Sequence, residues 1–100
     1  MTGRSDMPTP ALEDLMGGYF HQDWDTYGET HMAVVDQFIL DDPELAAALP
    51  AEILHVLSET PDDELETLLE SMGCEVYPQP RELGYRRWLS AIADRARGQS

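Results

Sequence analysis

Thr60-Pro61-Asp62-Asp63-Glu64-Leu65-Glu66-Thr67-Leu68-Leu69-Glu70-Ser71-Met72-Gly73 is the most clearly bounded segment of the chain. It opens as a helix start demands, with a capping hydroxyl, a first-turn proline and acids on the positive end of the dipole. Leu65, Leu68, Leu69 and Met72 then recur at steps of three and four, the period of one helical face. Gly73 follows as the residue that takes a left-handed helix end without a Cβ penalty.

The neighbouring segments read the same way. Upstream, Asp42-Pro43 supplies a cap and a first-turn proline, and Leu45, Leu49, Ile53, Val56 and Leu57 carry an apolar face to about Ser58. Pro50 interrupts that face, which predicts a kink or two short helices. Met32, Val35, Phe38 and Ile39 fall at helical spacing from about Glu29 to Leu40, with Val34 on the flank, and Asp41-Asp42-Pro43 ends the run. Thr9-Pro10 places a hydroxyl before a proline and opens a short helix bearing Leu12, Leu15 and Met16, which Gly17-Gly18 is expected to stop. Downstream, residues 75–80 are too proline-rich for a helix and read as an extended crossing segment. A closing helix from about Gly84 to Arg97 presents Tyr85, Trp88, Leu89, Ile92, Ala93 and Ala96 on one face. The expectation is an all-α bundle of five or six short helices over residues 9–97, with flexible ends at 1–8 and 98–100.

One hundred residues supply one domain and no second core. No apolar run is long enough to span a bilayer, and Met1 to Pro10 holds one Arg and no apolar stretch of signal-peptide type, so a cytoplasmic protein is expected. Cys74 is alone, which leaves no internal disulfide and too few thiolates for a zinc finger. It reads as a small buried hydrophobe.

Charge is more telling. The chain holds 20 acids against six Arg and no Lys, and between Ser5 and Pro80 there are 18 acids and no basic residue. The other five Arg follow position 80, which makes the molecule dipolar. Nucleic acid and anionic membranes are themselves polyanions and are poor partners for such a surface. A basic protein is the natural one. Asp62, Glu66 and Glu70 stack at four-residue steps with Asp63 beside them, so like charges face each other at roughly 0.2–0.5 kcal/mol per pair. Glu70 also lies in the last turn, where the dipole disfavours an anion. Local stability does not call for this face. It is either a solvated surface or an anionic patch that meets a cationic cleft, with Asp41, Asp42 and Glu44 as a second such group.

Gly17-Gly18-Tyr19-Phe20-His21-Gln22-Asp23-Trp24 packs two glycines, three aromatics, a histidine and an acid into eight residues. Tyr19, Phe20 and Trp24 can fold back as anchors, and the polar residues between them can satisfy buried backbone groups. No phosphate loop, nucleophile elbow or His-Glu-x-x-His pair occurs, so neither an enzyme nor a bound cofactor is expected. Two alternatives stay open. His21, Asp23, Glu29 and His31 offer oxygen and imidazole ligands for a metal-dependent enzyme or sensor, and the acidity also suits a nucleic-acid mimic that inhibits a DNA-binding protein.

The stretch from Leu12 to Trp24 resembles the hallmark of a family of bacterial contact-dependent growth inhibition immunity proteins. Further matches are the Pro-led helix at Pro43, the helix ending Met72-Gly73-Cys74 and the closing Tyr85-Arg86-Arg87-Trp88-Leu89, so the resemblance spans about residues 11 to 95. It implies a cytoplasmic antidote that binds the C-terminal toxin domain of a surface or secreted effector, often a nuclease. The glycine-aromatic motif is then assigned to the shared fold. Asp62, Asp63, Glu66 and Glu70, followed by Asp41, Asp42 and Glu44, are expected to contact the toxin.

Overall fold

The computed structural model describes residues 8–21, 23–26, 28–78 and 84–98. Of the expected flexible ends at 1–8 and 98–100, residues 1–7 and 99–100 lie outside them, as do the motif residue Gln22 and Gln79 and Pro80 of the crossing segment. The described residues form α1 (Pro10–Gly18), a 3-10 turn (Trp24–Thr26), α2 (His31–Asp41), α3 (Pro43–Ala46), α4 (Leu49–Glu59), α5 (Asp62–Ser71) and α6 (Gly84–Ala96), with no strand among them. The fold is all-α, as the periodicity predicts.

α6 organises the bundle. It packs against α4, α2 and α5, while α1 lies on α3 and α4. Trp88, Leu89, Ile92 and Ala93 form the buried stripe of α6, and they meet Phe38 of α2, Ile53 of α4 and Leu65 and Leu69 of α5 in one continuous core. Each large side chain fully withdrawn from water there contributes about 1.5–3 kcal/mol.

The helix boundaries follow local chemistry in most places. Thr30 caps α2, its Oγ1 accepting from the Ala33 N–H at 3.1 Å. Asp42 closes α2 and caps α3, accepting from the Leu45 N–H at 3.1 Å. Pro50 sits in the first turn of α4, so the interrupted apolar face becomes two separate helices, α3 and α4. At the end of α5 the Cys74 N–H donates to Leu69 O and the Gly73 N–H to Glu70 O, each at 3.0 Å. With Gly73 at φ +102° this is a Schellman ending.

Three local expectations are overturned. Thr9 makes no cap: its hydroxyl donates to Glu13 Oε2 at 3.0 Å. The free amides of α1 are met from across the bundle, where the buried carboxylate of Glu52 accepts from Leu12 N–H at 2.8 Å and Ala11 N–H at 3.3 Å. Thr60 likewise caps nothing, because its backbone closes α4 while Pro61 takes the N-cap position of α5. Finally, Gly17 and Gly18 do not stop α1 by turning left-handed. Both lie within the helix, neither has positive φ, and the chain leaves it at Tyr19. Gly17 serves a close approach instead: a Cβ there would stand 2.7 Å from the carbonyl oxygen of Met72, and one on Gly73 would stand 2.9 Å from Gly17 Cα. Two glycines thus let the end of α5 cross directly over α1.

Candidate functional site

The glycine-aromatic motif anchors itself in the interior through Phe20, with Tyr19 and Trp24 half-buried beside it. Phe20 is fully buried and its ring centroid lies 5.2 Å from that of His31 and 5.1 Å from that of Trp88, while the Trp24 and His31 rings meet T-shaped with centroids 4.8 Å apart. Trp88 Nε1–H donates to His31 Nδ1 at 3.0 Å, which leaves the proton of the neutral imidazole on Nε2. The Phe20 carbonyl accepts from the Glu75 N–H at 2.8 Å, tying the motif to the chain beyond α5. Tyr19 reaches the other way, its hydroxyl donating to Asp41 at 2.6 Å and its ring packing edge-on against Phe38 at 5.3 Å.

This geometry corrects the grouping of His21, Asp23, Glu29 and His31 as metal ligands. His31 is 4% exposed and already holds the Trp88 indole, while His21 Nδ1 accepts from the Asp23 N–H at 3.0 Å. Among the described residues no three of His, Cys, Asp and Glu come together in a metal-binding arrangement. His31 instead makes the fold acid-sensitive. Burial lowers its pKa from the ordinary 6.5, and Nε2 has no hydrogen-bond partner among the described residues. The unfolded chain therefore binds a proton that the folded chain resists, so this contribution to stability is present above pH 6.5 and is lost as the pH falls below it. Glu52, whose pKa burial raises, works in the opposite sense. A thermal-melt comparison with His31→Gln, which keeps an acceptor and cannot titrate, cancels the Glu52 effect. The wild-type melting temperature is expected to fall relative to the variant between pH 7.5 and 5. A constant difference would show that His31 does not couple to folding.

The acidic residues occupy two places. On α5, Asp63, Glu66 and Glu70 are exposed, and no basic side chain among the described residues pairs with them. Asp62 is engaged by Arg86, whose guanidinium also donates to Leu57 O and Thr60 O, each at 3.0 Å, and so clasps the α4–α5 connection to α6. Around the α2–α3 corner, Asp41 accepts from Tyr19 and, at 2.8 Å, from Gln37 Nε2, Asp42 is the α3 cap, and Glu44 is exposed. The C-terminal arginines are largely committed to internal acids. Arg95 grips Asp36 through two bonds of 2.8 and 2.6 Å and thereby lowers the Asp36 pKa, and Arg97 pairs with Asp94 at 2.9 Å. Such exposed pairs contribute about 0–1 kcal/mol each.

Where the end of α5, the extended residues 74–77 and the first turn of α6 meet, they leave a cleft of about 50 Å³ lined by Glu66, Glu70, Glu75, Tyr77 and Tyr85 above a floor that includes Leu69 and Val76. Burial and then the Glu66 carboxylate push the Tyr85 hydroxyl up to about 12. The sequence points to two of the acids here but not to Glu75 or the tyrosines, because no local pattern tells that residues 75, 77 and 85 converge. Cys74 lies beneath as a buried thiol donating to Val76 O at 3.5 Å.

No helix of the described residues is long and apolar enough to cross a membrane. No curated protein and no solved structure matches the chain. A family model described as CdiI immunity protein matches residues 8–96. That span takes in α1 to α6, the glycine-aromatic motif and the acidic face of α5, so the chain belongs to the CdiI immunity protein family, whose members neutralise a toxin.

Proposed function

We propose that this chain neutralises a basic toxin domain, of nuclease type, by presenting the acidic face of α5 to the cationic surface on which the toxin holds its own polyanionic substrate. Asp62, Asp63, Glu66 and Glu70 form the main contact, and Asp41, Asp42 and Glu44 a secondary one. The observation that carries the reading is that Asp63, Glu66 and Glu70 stand exposed with no basic side chain among the described residues paired to them, while Arg86, Arg95 and Arg97 are taken by Asp62, Asp36 and Asp94. A face that repels itself and opposes the helix dipole at Glu70 is of little use to α5 alone. Opposed to a cationic surface it speeds association, with rate constants reaching about 10⁸–10⁹ M⁻¹s⁻¹ at low salt.

The first test is co-expression with the C-terminal domain of the reading frame immediately upstream, scored by host survival and co-purification. Rescue and a stable complex are expected. The second is reversal of Asp63, Glu66 and Glu70 to Lys, leaving Asp62 on Arg86. Circular dichroism and the melting temperature should be unchanged or improved, while affinity for the toxin domain falls by roughly 100-fold or more with most of the salt dependence gone. Undiminished affinity would remove the α5 face from the interface.

A further inference from the structure

We infer that the tyrosine-walled cleft between α5, residues 74–77 and α6 is a receptor for a single arginine side chain projecting from the toxin. This rests on the reading above and names the occupant of its central contact. Tyr77 is one of three large apolar side chains among the described residues that stay well exposed, at 48%. The other wall, Tyr85, is half-buried and held edge-on against Trp88, with ring centroids 6.2 Å apart and planes at 85°. Leu69 and Val76 give the cleft an apolar floor, and Glu66, Glu70 and Glu75 surround it with carboxylates. Its volume of about 50 Å³ is several times what one water needs, so the flat tip of a basic side chain fits while a bulky group does not.

The chemistry selects arginine over lysine. A guanidinium is planar and weakly hydrated, stacks on an aromatic face, and donates in a fork that matches a carboxylate. An ammonium gains the charge attraction but neither the stacking nor the fork. The receptor is also preorganised. The Schellman ending at Gly73, the Gly17–Gly73 crossing and the Glu75 N–H to Phe20 O bond fix the segment that carries Glu75 and Tyr77, so little ordering is left to be done on binding. Gly17 and Phe20 of the family motif thereby position the contact surface without belonging to it.

The probes are N-acetylarginine amide, its lysine counterpart and the cognate toxin domain, titrated against isotope-labelled full-length chain by NMR and, for the toxin, by calorimetry. At millimolar concentration the arginine probe should shift the Tyr77 and Tyr85 ring protons and the amides of 66–77 saturably, and the lysine probe less. Tyr77→Ala should abolish those shifts, keep the melting temperature, and weaken toxin binding by about tenfold or more, as loss of an interface anchor does. Tyr77→Phe should retain both. Shifts spread over all acidic residues without saturation, or full toxin affinity in Tyr77→Ala, would overturn the cleft while leaving the acidic-face reading standing. Absence of any complex between toxin and wild-type chain would overturn both.

Discussion

Phe20→Ala is expected to destabilise the fold by about 3–5 kcal/mol, the cost of deleting a fully buried aromatic from a packed core. The ring touches His31 and Trp88, which are themselves hydrogen-bonded to each other, so the cavity opens beside a polar contact that cannot spread to fill it. Domains of this size hold about 5–15 kcal/mol in all, and each kcal/mol lost lowers the melting temperature by about 4–8 °C. A drop of about 15 °C or more in a thermal melt is therefore the expected result, accompanied by loss of toxin protection through unfolding. A variant that melts like wild type yet fails to bind toxin would instead place Phe20 in the interface and refute the core assignment.

Gly17→Ala and Gly18→Ala are expected to act in opposite directions although the residues are adjacent in α1. At Gly17 the added methyl meets the Met72 carbonyl oxygen at 2.7 Å, a backbone atom that moves only if the whole end of α5 moves, and the cost is about 1–3 kcal/mol. At Gly18 the nearest atom is Asp14 Oδ1 at 3.6 Å, ordinary contact with a flexible side chain, and the gain from replacing a helical glycine is up to about 0.5–1 kcal/mol. Chemical denaturation of both variants checks this directly. Equal and small effects would mean that α1 and α5 do not cross at these glycines. Because residues 73–77 carry one wall of the cleft, Gly17→Ala should also weaken the arginine probe even under conditions where the variant stays folded.

The helices themselves were legible because their signals are local. Leu65, Leu68, Leu69 and Met72 set the face of α5, Asp42 capped α3, Pro50 divided α3 from α4, and Gly73 ended α5 as the chemistry of each residue requires. Where the reading failed, the rest of the fold decided: Thr9 has the composition of a cap, but Glu52 of α4 meets the free amides of α1 in its place, and Thr60 is taken up in closing α4, so that Pro61 stands at the N-cap of α5. His31 and His21 look alike in sequence, yet Trp88 commits the first to the core. The site was half legible for the same reason: stacking of Glu66 and Glu70 follows from helical period, whereas Glu75, Tyr77 and Tyr85 join them only through a crossing that two distant glycines allow.

The sequence by itself thus determined the all-α class, the helix faces and the excess of negative charge, since these depend on residue type and on spacings of three or four positions. Only the tertiary structure decided which polar groups are buried, which acids retain an exposed charge after Arg86, Arg95 and Arg97 take their partners, and where the tyrosines open a cleft. Those outcomes depend on contacts between residues far apart in the chain, and such contacts are fixed by the joint packing of all six helices and by the desolvation it imposes on each group.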